Sequence, residues 1–439
     1  MSNSATALEN VEGVVVVTLV VATVLGYVIR QLKRSRPDFR IGRPVVVGVA
    51  IRLAAIAGIS ATGLSTTLRG GDETTFIDFA QFLATQPLGH GDLPHGAYQL
   101  QTVVFALQLK LGFLTQGALR ITQVGIATLG VVLILAAVHD LANGRAARFA
   151  AWLLALEPAS IFFNSALHKE PLMELAGGLV VYGGTRIWLR LDVRGILLCA
   201  LGGLIAIETR SYAGWFLVAA AVLVLLHAAL RGLDRPMRAM PLIYAVAIIA
   251  FVSVPAVIQA SSNKNLQKLQ ISQTANSTGA GITSGGANSD NLALEQVNFS
   301  TRGAILTNLP KRLRDLILKP YPWQLGDTSQ RFGAVGTLVA YAVLLLLLRY
   351  AWFARGRVTA HIGPLLYPLL FLLVAYSLSA GNAGTGFRYR THLVTLGIAI
   401  MAILREQAMM ARAQRGPRRA ERRELDSESP RAAPVASPV

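Results

Sequence analysis

Apolar runs the length of a bilayer recur along this chain, and they leave few folds open to it. They fall near 11–29, 44–64, 120–138, 147–163, 171–189, 195–207, 212–230, 241–259, 334–350, 362–379 and 391–404, the sixth being short. A helix needs about 20 apolar residues to cross the hydrocarbon. Only helices and closed barrels satisfy their own backbone polar groups there. The expected fold is therefore all-α: a polytopic transmembrane helical bundle of about 11 spans, with juxtamembrane helices and one long loop on the outer face. Composition agrees, because only 15% of the residues are charged, against about one quarter in soluble domains. The first run has no basic segment before it and reads as a span rather than a signal peptide. The single cysteine, Cys199, excludes an intrachain disulfide and a Cys-based metal site.

The net charge of +18 is carried mostly by short connections and by the end of the chain. Basic residues follow the first run in "RQLKRSRPDFRIGR" and recur at Arg145/Arg148, Arg190/Arg194, Arg231/Arg235/Arg238 and Arg349/Arg355/Arg357. With eleven spans all of these lie on one side, the cytoplasmic one by the positive-inside rule. The protein is then expected to be a multi-pass cell-membrane protein with an outer N-terminus and a cytoplasmic C-terminus. Topology alone explains the charge, so nucleic acid is not an expected partner and membrane lipids are. Residues 1–404 form the membrane domain, and the basic segment 405–439 is expected to be a disordered cytoplasmic tail.

The same arithmetic sends the remaining polar stretches to the outer face. These are 65–119, "NSALHKEP", "ETRSY", the long loop 260–333 and "GNAGTGFRYR". Retention in the cytoplasm cannot account for their charges, so they call for another reason. Residues 97–116 mix apolar and polar side chains with a partly helical period and read as an interfacial helix. Within 260–333, "NSTGAGITSGGANSDN" reads as a flexible stretch. "KRLRDLIL" reads as an amphipathic helix with Lys311, Arg312 and Arg314 on its polar side.

Five constellations could carry chemistry. In "RGGDETTFIDFAQFLA", Asp72 and Glu73 stand at the mouth of a helix expected to start near Thr74. A carboxylate there could cap the helix, act as a general base or ligate a divalent cation. Asp78 reads as solvated. In "HKEP", His168, Lys169 and Glu170 precede a helix whose first turn holds Pro171, and the lysine with free backbone N–H groups suits an anion. In "ETRSY", Arg210 either pairs with Glu208 or faces a ligand. "GFRYR" supplies Arg388 and Arg390, whose planar forks match phosphate oxygens. "PYPW" presents Tyr321 and Trp323 either as interface anchors or as a stacking surface for a sugar. There is no Walker sequence, dinucleotide fingerprint, HExxH or GxSxG, so ATP-driven transport and ordinary hydrolase chemistry have no support. No internal repeat and no soluble enzyme domain is visible.

The acid-plus-helix motif "GGDETTFIDFAQFLA", the late "RYR" and the "PYPW" after a basic helix resemble the GT-C superfamily of membrane glycosyltransferases, in particular bacterial cell-surface polysaccharide proteins related to it. The resemblance extends to the number of spans and to an acid in the first large outer loop. It implies an enzyme that moves a sugar from a polyprenyl-phosphate donor to a glycan, lipid or protein acceptor on the extracytoplasmic side, with inversion and no bound cofactor. Asp72 or Glu73 would be the base. Lys169, Arg210, Arg388 and Arg390 would hold the leaving phosphate. The acidic pair is Asp-Glu rather than Asp-x-Asp, and the chain shows no soluble C-terminal domain, which leaves a divalent cation open. Two other readings stand beside it: a polysaccharide polymerase or ligase acting on lipid-linked oligosaccharides, and a non-enzymatic lipid-glycan flippase. The flippase should carry charge near mid-membrane, where the sequence singles out only Arg52.

Overall fold

The computed structural model describes residues 2–61, 65–87, 99–113, 115–231, 267, 270, 271, 298, 301–319, 321, 323, 328–353, 358–380 and 383–428. The expected span 241–259 and the Gly/Ser-rich stretch of the long loop lie outside them. The regular structure among the described residues is helical throughout: α1 (Ser2–Arg34), α2 (Gly42–Ala61), α3 (Ser65–Thr85), α4 (Gln99–Lys110), α5 (Gln116–Leu141), α6 (Gly144–Leu156), α7 (Pro158–Phe163), α8 (Glu170–Arg190), α9 (Val193–Thr209), α10 (Ser211–Arg231), α11 (Arg302–Leu318), α12 (Thr328–Phe353), α13 (Val358–Ser379) and α14 (Ala383–Glu428). The fold is thus an all-α bundle.

Seven of these helices are long and apolar enough to cross a membrane, by length and composition: α1, α2, α5, α10, α12, α13 and α14. Three further expected spans take a different form. The run 147–163 is broken at Glu157–Pro158, where the Glu157 carboxylate caps α7 by accepting the Ala159 and Ser160 N–H groups. A proline at the first helical position favours such a restart. The run 195–207 lies on α9, which has 17 residues. The run 171–189 lies on α8, which carries Glu170, Glu174, Arg186 and Arg190.

α8 is the centre of the bundle. It packs along α9 and α5 and meets α10, α13 and α14, and most of its residues are buried. Small residues make this possible. A Cβ on Gly183 would lie 2.6 Å from the Gly195 carbonyl oxygen of α9. One on Gly178 would collide with the Gly130 backbone of α5. Gly177, its neighbour, faces open space. Gly178→Ile is therefore expected to abolish the α5–α8 packing, at a loss of about 3 kcal/mol or more because backbone cannot step aside. Gly177→Ala should be neutral. Thermal unfolding of the two purified variants, followed by size-exclusion chromatography, checks this.

The helices sort their polar groups to two ends. At one, Arg36 bonds Asp140 and the Tyr182 hydroxyl, His139 lies 2.6 Å from Asp38, Asn143 bonds Glu406, and Arg405 stacks on Phe149. The His139 hydrogen bond holds the Asp38 carboxyl below its ordinary range. Arg186, over the Tyr182 ring, and Arg231, over Trp188 of the same helix, belong to this end too. The other end gathers Glu73, the 164–169 segment, Arg210 and the start of α14.

Three local expectations change. α3 begins at Ser65, about two turns before Thr74, so Asp72 lies inside a helix rather than at its cap. Arg312 is buried to 1% exposure on the same face as Leu316, so α11 does not present a uniformly solvated basic side. α14 continues to Glu428 through most of the segment expected to be a disordered tail. Residues 429–439 lie outside the described ones.

Candidate functional site

The site starts from one buried carboxylate. Glu170 opens α8 and its side chain is fully buried. Arg210 Nη2 donates to its Oε1 at 2.6 Å, and Arg388 Nε donates to the same oxygen at 3.1 Å. The three residues come from three places. Arg210 is the single residue between α9 and α10 and ends α9 with its own N–H on the Ala206 carbonyl. Arg388 lies on the first turns of α14. Helix α8, α14 and the α9–α10 corner thus meet at one point.

An aromatic cluster holds the Arg210 guanidinium in place. The Arg210 guanidinium stands 4.6 Å from the Tyr389 ring centroid. Tyr389 stacks on Tyr376 at 4.6 Å, and its hydroxyl accepts from Tyr212 at 2.6 Å. Burial works against charge on Arg210, but Glu170 and the neighbouring tyrosines outweigh it and keep the guanidinium well above its ordinary value. His392, one turn after Arg388, lies 3.1 Å from the Glu170 carbonyl oxygen through Nε2 and 3.1 Å from the Tyr376 hydroxyl through Nδ1. A carbonyl only accepts, so Nε2 carries a proton. His168 Nδ1 faces Arg388 Nη2 at 3.4 Å, and a guanidinium only donates, so Nδ1 is the acceptor.

Two guanidinium groups thus converge on one buried carboxylate. Arg210 Nη1 is buried and has no hydrogen-bond acceptor among the described residues. Arg388 is the more open of the two, its side chain 20% exposed against 6% for Arg210. An unpaired buried donor beside a partly open arginine is suited to a small anion.

Glu73 lies beside this cluster and is not free to act as a base. Its Oε2 accepts from Arg120 at 3.0 Å and its Oε1 from the Leu167 N–H at 2.7 Å. Both oxygens are used, and the residue is 5% exposed. Glu73 therefore pins α3 to the 164–169 segment, aided by Phe76, Phe105, Leu119 and Leu167, which form one apolar cluster. Lys169 rests its ammonium 5.8 Å from the Phe76 ring. Asp72 belongs to α3, and its side chain lies outside those described.

Four expected site residues, His168, Glu170, Arg210 and Arg388, thus come together, with Lys169 and Glu73 at their edge. Arg210 pairs with Glu170 across helices, not with Glu208, which is exposed. Arg390 departs from the cluster. Two residues along a helix are about 200° apart, and its guanidinium reaches Thr337 and the Lys319 carbonyl instead. Tyr321 and Trp323 stack face to face at 4.8 Å, with Trp323 79% exposed. They follow Lys319, at the end of α11. The sequence reading passed over His392, Tyr376, Arg120 and Glu174. The i+4 spacings Glu170/Glu174 and Arg388/His392 were the signal for two of them.

A second set of buried polar groups surrounds Arg52. Arg52 donates to the Gly48 and Leu154 carbonyls and, at 2.7 Å, to Ser160 Oγ. Glu157 and Glu174 face it electrostatically. The expectation that Arg52 stands alone at this depth is thus corrected: two carboxylates share the interior with it, brought there by helices remote in sequence. No group of three or more His, Cys, Asp or Glu side chains that could hold a metal ion occurs among the described residues. Comparison with protein-family models, with curated proteins and with solved structures gives no match to this chain.

Proposed function

We propose that this protein is an integral membrane glycosyltransferase, using a polyprenyl-phosphate sugar as donor and a cell-envelope glycan, lipid or protein as acceptor at the extracytoplasmic surface. The observation that carries the reading is the meeting of Arg210 and the partly open Arg388 at Glu170, with a buried Arg210 Nη1 donor left over. A phosphodiester carries one negative charge and several acceptor oxygens, which suit guanidinium donors.

The chemistry follows from the charges. The acceptor hydroxyl oxygen bonds to the anomeric carbon as the carbon–oxygen bond to phosphate breaks. The bonding electron pair leaves with the phosphate oxygen, where Arg388 and Arg210 stabilise the developing charge. The hydroxyl proton passes to a carboxylate, and Asp72 takes that role because both Glu73 oxygens are engaged. Displacement opposite the leaving group inverts the anomeric centre. The exposed Trp323, stacked on the half-buried Tyr321, would offer an apolar face to a sugar ring.

Loss of one charge-assisted bond corresponds to about 1.5–3 kcal/mol. Arg388→Ala is thus expected to weaken donor binding about tenfold to a hundredfold in lipid nanodiscs, while Arg390→Ala affects folding more than affinity. Normal donor affinity in Arg388→Ala would remove the phosphate assignment. A diphosphate-linked oligosaccharide that binds and reacts in preference to the monophosphate sugar would favour the polymerase or ligase. The flippase reading draws on Arg52, Glu157 and Glu174 in the interior, since charge at that depth often marks a transport path. Movement of the lipid-linked sugar between leaflets without any glycosidic bond formed would support it.

A further inference from the structure

We infer that Arg390 and Tyr341 are positioning residues: they fix the end of α11, and with it the placement of the Tyr321–Trp323 pair relative to Arg388. That the pair meets a sugar rests on the reading above; that it is held in place does not.

α11 ends where Pro320 follows it. Proline has no N–H to continue the helix and pushes the residue before it into extended backbone. Lys319 accordingly lies at φ −85°, ψ 151°. Its N–H closes the last turn on the Asp315 carbonyl, and its ammonium turns back to the Asp315 carboxylate at 3.2 Å. The carbonyls beyond Asp315 have no helical partners, as at any helix end. Two of them are met from other helices. The Tyr341 hydroxyl of α12 donates to the Leu318 carbonyl, and Arg390 Nη2 of α14 donates to the Lys319 carbonyl. Arg390 Nη1 also donates to Thr337 Oγ1 at 3.2 Å, and Thr337 lies one turn before Tyr341 on α12.

Arg390 is committed to this junction. It is 4% exposed, its guanidinium stands 5.2 Å from the Phe387 ring centroid, and no carboxylate pairs with it among the described residues. Its charge is met by the carbonyl end of α11, where the helix dipole favours a cation. Beyond the anchor the chain opens to the surface. Tyr321 comes two residues after Lys319 and is half-buried, and Trp323 is exposed, yet their rings lie within 5° of parallel. An exposed ring keeps one orientation when the backbone that carries it is fixed close by, and Leu318 and Lys319 are where that fixing occurs. Arg388 precedes Arg390 by two residues, a rise of about 3 Å along α14. The same turn of α14 thus holds Glu170 on one side and the end of α11 on another. The candidate anion site and the aromatic pair share one support.

The test uses the full chain in lipid nanodiscs, with 5-fluorotryptophan at its five tryptophan positions and the Trp323 fluorine resonance assigned through Trp323→Phe. Tyr341→Phe removes one donor and keeps the ring; Arg390→Gln removes the other. Each should shift and narrow the Trp323 resonance, as the indole leaves the ring current of Tyr321 and turns freely, while the other resonances hold. Arg390→Lys keeps an ammonium for the Lys319 carbonyl without the fork that also reaches Thr337, and should restore part of the shift. If Arg390→Gln does not fold, Tyr341→Phe decides alone. An unchanged Trp323 resonance in Tyr341→Phe overturns the inference, and so does movement of all five resonances, which marks a general loss of structure. Polyprenyl methyl phosphate, a phosphodiester with one charge and no sugar, should bind Tyr341→Phe as tightly as the wild type, because Arg388 is untouched. Weaker binding by Tyr341→Phe contradicts a role confined to the aromatic pair. Failure of the wild type to bind this probe removes the anion-site reading and leaves the fluorine resonances to decide the inference.

Discussion

Glu170→Gln is expected to be strongly destabilising, and an added anion is expected to repair it. The glutamate is fully buried between Arg210 and Arg388. Glutamine keeps the volume and removes the charge, which takes from both guanidinium groups the carboxylate they share. Breaking a buried pair from one side lowers stability by about 3–5 kcal/mol. If the arginines are a phosphate site, a phosphodiester can replace the lost carboxylate, and the melting temperature should recover as polyprenyl methyl phosphate is added. If they are only a structural clamp, the loss persists at all ligand concentrations. Thermal unfolding of the variant with and without the probe separates the two. The wild type should gain less from the same probe, because its carboxylate already neutralises one arginine.

The second large effect separates the two acids of "GDE". Glu73→Gln breaks the buried pair with Arg120, in which both side chains are 6% exposed. A destabilisation of about 3 kcal/mol is expected, with turnover per folded molecule nearly unchanged. Asp72→Asn should show the reverse: a folded protein whose turnover falls about a hundredfold or more, the usual loss when a general base is removed. Rates normalised to the folded fraction decide between them. Full turnover in Asp72→Asn would end the base assignment. A Glu73→Gln protein that is stable and inactive would return the role to Glu73, against the geometry of its two occupied oxygens.

The candidate site was legible in part. "HKE", "ETR" and "FRYR" each place charge next to an apolar run, where an unpaired charge is disfavoured, so partners had to exist. Which partners these are could not be read. Glu208 is two residues from Arg210 and Glu170 is forty away, yet the distant one forms the bond because α8 and the α9–α10 corner pack together. The pairing of Arg388 with Arg390 failed for a local reason. Once "FRYR" is helical, the two arginines project on different sides, one to Glu170 and the other to Lys319 and Thr337. Glu73 drew notice as an acid at a helix mouth, but its engagement by Arg120 and the Leu167 N–H depends on how α3 folds back on residues 164–169.

The sequence by itself determined that the chain is a bundle of apolar helices with polar ends. Hydrophobic run length and backbone hydrogen bonding in lipid admit little else, and both are properties of a segment taken alone. Only the tertiary structure decided which charges meet. Glu170 with Arg210 and Arg388, and Glu174 near Arg52 and Glu157, depend on helices crossing closely at glycines such as Gly130 and Gly178. Electrostatic energy falls with distance through space, and distance along the chain does not report it.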